Sequence, residues 1–120
     1  MKTPSDIQCK RAYDTPEKSD GYRVLVDGIW PRGRRKEALE LDEWRKELAP
    51  SKKLRQWFKH DPQRWDTFRQ RYHKELDKQK RAIDDMLKAC DGHKLTLVFG
   101  AKETEYNNAV ALKEYLEKRT

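Results

Sequence analysis

Tyr22-Arg23-Val24-Leu25-Val26-Asp27-Gly28-Ile29-Trp30-Pro31-Arg32-Gly33 is the stretch on which the fold turns. Its Val-Leu-Val centre is apolar at every position rather than at alternate ones, which predicts a strand covered on both faces. Strands of that kind belong to sheets with helical crossovers, so the rest of the chain should supply helices and at least one parallel partner. Gly28 breaks the strand, and the loop that follows carries four cations in the five residues Arg32 to Lys36.

Before this strand, Ile7 to Arg11 alternates apolar and polar residues, as a short half-covered strand does. Tyr13 to Gly21 is rich in turn formers and reads as a loop, with a helical turn after Pro16. After the basic loop, helical signals take over. Asp42 is placed to cap a short helix carrying Trp44 and Leu48 that stops near Pro50. Ser51 can cap another, with Leu54, Trp57 and Phe58 at helical spacing. Asp61-Pro62 is a cap followed by a first-turn proline. Trp65, Phe68, Tyr72, Leu76, Gln79, Ile83, Met86 and Cys90 then hold one stripe, predicting one long helix or two nearly continuous ones ending at Gly92. Lys94 to Phe99 reads as the third strand, and Ala109, Leu112, Tyr115 and Leu116 mark a last helix.

The expected object is a single α/β domain over residues 1–120, with residues 1–5 frayed and a small three-stranded, mostly parallel sheet covered by several helices. The link from second to third strand is long enough for a crossover, which favours a parallel pair. The first connection is short, so the direction of the first strand stays open.

Composition sets the outer limits. The chain has 120 residues, a formal charge of +7, 41% charged and 35% apolar side chains. Leu, Val, Ile and Phe make up about 18% of it, under the rough 20% level associated with disorder. Four Trp and five Tyr supply the missing apolar surface. There is no apolar run long enough for a membrane span. The first six residues lack the apolar core of a signal peptide, so a cytoplasmic protein is expected, with Cys9 and Cys90 as reduced thiols.

A ligand of an open α/β sheet sits beyond the carboxyl ends of the strands. The loops expected there carry Lys10 and Arg11, then Asp27 to Lys36, then Gly100 to Glu103 with Asn107 and Asn108. Cations outnumber acids in this set, which predicts a cleft attractive to a small anion, a phosphate or a nucleotide. Lys10, Arg32 and Lys102 would neutralise it, Trp30 would form a wall, and Asn107 and Asn108 would orient it. Asp27, ending an apolar strand, and His60, before a proline-started helix, are the candidate proton-transfer groups. Each has a structural alternative: Asp27 can hold the Gly28 turn, and His60 can simply end its helix. His73, His93 and the two cysteines are scattered, so no metal site is expected. Glycine patterns of the P-loop and dinucleotide type are absent, as is a Gly-x-Ser-x-Gly elbow, so no cofactor is expected and no reaction is named.

Nucleic acid is the alternative partner. Pro31-Arg32-Gly33-Arg34-Arg35 is similar to the core of an AT-hook, and Arg32, Arg34, Arg35 and Lys36, with the adjoining helices and their cations Arg45, Lys46, Lys52, Lys53, Arg55 and Lys59, would make the contacts with DNA or RNA. Acids interleaved from Glu37 to Glu47 dilute the basic stripe.

Taken together, Tyr22 to Asp27 with Trp30-Pro31-Arg32-Gly33, Asp42-x-Trp44, Leu48-Ala49-Pro50-Ser51, Leu54-Arg55-x-Trp57-Phe58-x-His60-Asp61, Trp65-x-x-Phe68-x-x-Tyr72, Glu75-Leu76 and Asn108-Ala109 closely resemble the YeaO-like branch of domain of unknown function 488. The resemblance runs from about Ile7 to Leu116. It implies a small cytoplasmic α/β protein of bacteria or archaea without an established activity. Some members carry a transcriptional-regulator label, for which this chain has no helix-turn-helix. Gly28 stands where the family usually has an arginine, and Tyr106 where it often has a histidine.

Overall fold

The structure, a computed structural model, describes residues 3–119. Its sheet has four strands, all parallel, in the order β1-β4-β2-β3: β1 is Ile7–Arg11, β2 Tyr22–Leu25, β3 Glu43–Trp44 and β4 Leu95–Phe99. The first strand is therefore parallel to its neighbour, and the expected sheet of three strands gains a fourth. β3 falls where a helix capped by Asp42 was expected. The Asp42 carboxylate instead accepts the backbone N–H of Arg23 at 2.8 Å, and Asp42 N–H donates to Arg23 O. An oxygen suited to capping is used to start a strand pair. Only Lys46–Leu48 forms a helical turn in that region, of the 3₁₀ type.

Elsewhere the caps act as read. The Ser51 hydroxyl accepts Leu54 N–H and opens a helix over Lys52–Phe58, while the Asp61 carboxylate accepts Gln63 N–H ahead of Pro62. In chain order the α-helices are α1 Lys36–Leu39, α2 Lys52–Phe58, α3 Trp65–Leu76, α4 Lys80–Cys90 and α5 Asn108–Arg119. The long apolar stripe is thus two helices joined by a 3₁₀ turn at Asp77–Gln79. It stops at Asp91 and Gly92, both left-handed. The helical turn expected after Pro16 is a 3₁₀ turn at Lys18–Asp20.

Alternation along the strands divides the core in two. Val24, Leu95, Leu97 and Phe99 face α2 to α5 and join Phe58, Phe68, Tyr72, Ile83 and Leu112 in the main core. Leu25 and Val98 face the other way and pack with Ala12 and Leu39, flanked by Trp30 and Trp44. Cys90 lies in the main core and Cys9 packs against it. Of the segment expected to fray, residues 1 and 2 lie outside the described residues, and Ser5 N–H donates to Gly92 O. No described helix is long and apolar enough to cross a membrane.

Candidate functional site

β2 and β4 end side by side, and the chain leaving each of them lines a cleft of about 310 Å³. Asp27, Gly28 and Ile29 come from the loop after β2, Ala101 from the loop after β4, and Asn108 from the first turn of α5. Ala49, Pro50, Arg55 and Phe58 enter from the α2 side, with His60 just beyond it and Phe68 from α3. This is the location that an open parallel sheet dictates for a ligand.

Asp27 is fixed at its centre. Its carboxylate accepts Gly100 N–H at 2.8 Å through Oδ2 and the Asn108 amide at 3.1 Å through Oδ1. Its own carbonyl accepts the Trp44 indole N–H at 2.7 Å. The side chain thus reaches across the sheet to residues more than 70 positions away rather than holding the Gly28 turn. Burial pushes its carboxyl above the ordinary carboxylate range, against the two hydrogen bonds and the nearby Arg55 and His60, all of which favour the ionised form. The approach is close: a Cβ at residue 100 would stand 3.3 Å from Asp27 Oδ2, so a side chain there would have to shift the carboxylate by a few tenths of an ångström.

Asn108 also donates to Val26 O at 3.1 Å. Two acceptors facing one nitrogen settle which end of the amide is which, and leave Oδ1 on the opposite side. His60 is exposed at the cleft rim with its ring edge-on to Phe58, the centroids 5.6 Å apart. It is the second of two consecutive left-handed residues, after Lys59 (φ 49° and 56°). Neither is a glycine, so the backbone that presents His60 is strained, as is common at binding sites. Phe58 and Phe68 stack at 4.1 Å and give the cleft an aromatic wall.

The structure therefore brings together Asp27, His60 and Asn108. The other expected site residues go elsewhere. Lys10 points to the opposite face of the sheet, where it pairs with Asp20 and Glu17. Trp30 packs edge-on against Trp44 and donates its indole N–H to Arg34 O. Arg32 and Lys102 are exposed and outside the cleft. Asn107 is buried and caps α5, accepting Val110 N–H and donating to Glu103 O. In the basic loop, Arg34 is committed to Ala12 O, Tyr13 O and the Tyr13 ring, while Arg35 and Lys36 are exposed with Arg32. Among the described residues, no cluster of His, Cys, Asp and Glu is arranged to hold a metal.

Arg55 was missed as a cleft residue. It is one of many cations around α2, and its signal is positional: three residues before Phe58, it stands on the flank of the buried stripe and on the side of the His60 loop. It lines the cleft and acts electrostatically on Asp27, and its guanidinium gives the site bidentate anion-binding chemistry.

Relatives of this chain are known only in outline. The uncharacterised protein YeaO of Escherichia coli is 44% identical over 111 residues, 92% of this chain and 96% of its own. The uncharacterised protein Rv3073c of Mycobacterium tuberculosis is 36% identical over 119 residues, 99% of this chain and all of its own. No solved structure matches. The family model described as the inactive DUF488-N3 subclade matches residues 6–120, and the chain belongs to that family.

Proposed function

We propose that the cleft at the ends of β2 and β4 binds a small phosphate-bearing anion. Arg55 grips the anion, and Asp27, Asn108 and His60 orient the remainder of the ligand. The observation that carries this reading is the convergence of those four side chains on one partly apolar cleft. A half-buried guanidinium beside fixed polar groups and an apolar wall is the usual makeup of a specific small-ligand site. The description of the subclade as inactive favours holding a ligand over turning one over. The anion partner is Arg55 in place of Lys10, Arg32 and Lys102, which face away from the cleft.

A nucleic-acid reading draws support from the exposure of Arg32, Arg35 and Lys36 on one loop. That loop lies outside the cleft, so one experiment separates the two. Inorganic phosphate and phosphate-bearing metabolites should raise the melting temperature of the wild-type protein by mass action. Arg55→Ala should weaken that binding about 10- to 100-fold, the loss expected for a charge-assisted hydrogen-bonded contact. The double variant Arg32→Ala, Arg35→Ala should leave it unchanged. No shift with any phosphate-bearing probe, or equal shifts in wild type and Arg55→Ala, would overturn the proposal.

A further inference from the structure

The cleft does not end at Arg55. A second hollow of about 580 Å³ adjoins the first, and five residues line both: Gly28, Ile29, Ala49, Pro50 and Arg55. The two chambers differ in chemistry. In the inner one the wall is the Phe58–Phe68 stack with Ala101, and the polar groups are Asp27, Asn108 and His60. The outer one adds Lys46, Lys52 and Lys78 to Arg55, against Glu47 and Glu75. Glu75 is already bound by the backbone N–H and the hydroxyl of Ser51, which leaves the cations in excess.

Such a pair of chambers suits a ligand with two unlike halves. A free phosphate would use only the outer cations and leave the aromatic wall in water. We infer that the ligand is a nucleotide, with its base in the inner chamber and its phosphate among Arg55, Lys46, Lys52 and Lys78. This rests on the phosphate-binding reading above and adds the class of the ligand to it. Phe58 and Phe68 offer the base apolar contact. The carboxyl of Asp27 and the amide oxygen of Asn108, both lining the inner chamber, offer the paired polar groups that a base edge matches. Ile29, 64% exposed despite being apolar, stands at the lip of both chambers and would be covered by the sugar.

Gly28 keeps the passage between the chambers open. A Cβ there would stand 3.6 Å from Ala49 Cβ and 3.8 Å from Arg55 Nη1, ordinary contact distances. A methyl group therefore fits, whereas a longer side chain has to occupy the passage or displace Arg55.

The test is calorimetric titration of the full chain with the four ribonucleoside 5′-monophosphates, their nucleosides and inorganic phosphate. At least one monophosphate should bind more than about 10-fold tighter than both its nucleoside and phosphate, because joining the two fragments makes the second contact intramolecular. Gly28→Leu should abolish that advantage, whether it fills the passage or moves Arg55, while Gly28→Ala should retain it. If phosphate binds and no monophosphate binds tighter, the nucleotide inference falls and the phosphate site stands. If no phosphate-bearing probe binds, both fall. A Gly28→Leu protein that folds and binds monophosphates as wild type does also overturns the inference. Should that variant not fold, the wild-type comparison of monophosphate, nucleoside and phosphate decides alone.

Discussion

Asp20 stands two residues before β2 and Asp27 two residues after it, and the strand between them separates two opposite treatments of a carboxylate. At the entry, Asp20 is 1% exposed and surrounded. Its oxygens accept from Lys10, from Arg23, from Gln8 and from Glu17 N–H. Arg23 is itself buried and gives its other N–H groups to Leu39 O. At the exit, Asp27 is only half-buried, accepts two hydrogen bonds and has its remaining lone pairs turned toward a cleft. Burial would raise both carboxyls. At Asp20 the Glu17 N–H and the Lys10 and Gln8 contacts overcome it and hold the carboxyl below its ordinary value. At Asp27 burial wins. A saturated carboxylate braces the fold, and an undersaturated one has capacity left for a ligand.

This contrast can be broken most severely at the closed end. Arg23→Ala removes one of the two cations paired with the buried Asp20 and strips Leu39 O of its donors, and should cost about 3–5 kcal/mol in chemical denaturation. A loss under 1 kcal/mol would mean that the entry is no brace. Gly21→Ala comes next. Residue 21 has φ +68°, and a Cβ there would stand 2.3 Å from Lys94 O, the acceptor of the first β2–β4 hydrogen bond. Strain and collision together should cost about 3 kcal/mol. An unchanged denaturation midpoint would refute the close approach.

At the open end the effect is smaller and depends on pH. Asp27→Asn can keep one of the two carboxylate hydrogen bonds and should lose about 1 kcal/mol at low pH. In the wild type the folded protein holds the Asp27 proton more tightly than the unfolded chain does. Its contribution is therefore full below the ordinary carboxylate value and is lost as pH rises through the raised one. The variant has no such loss, so its melting temperature should gain on wild type as pH rises above the ordinary carboxylate range. Asp20, with a lowered value, contributes in the reverse sense, with stability present above the ordinary range and lost as pH falls. A constant difference between Asp27→Asn and wild type across that rise in pH would show that burial does not control Asp27.

Sequence reading reached the elements whose signal is local. β1 shows in its alternation, β2 and β4 in runs of apolar residues, α2 in its Ser51 cap, and α3 with α4 in one unbroken stripe. β3 was illegible because two residues cannot display an alternation, and because Asp42 looks the same whether it caps a helix or receives Arg23 N–H from a neighbouring strand. The site divides similarly. Asp27, His60 and Asn108 follow from their positions at strand and helix ends. The cations do not, because a positive side chain in a chain with 28 of them reveals nothing about its direction. Lys10 turns to a local acid, Arg34 to local carbonyls, and Arg55 to the cleft.

The short β3 has a bearing on solubility. An open sheet has two unpaired edges, and each can template the strand of another copy. Here one edge is two residues long, and Glu43 within it is tied to Tyr22 and Arg45. The other edge, β1, ends in Lys10 and Arg11. The net charge of +7 opposes self-association in general, and a long, flat, uncharged edge is the local feature that could still overcome it. By ending one edge after two residues and charging the other, the fold resists growth by strand addition and keeps its parallel sheet at four strands.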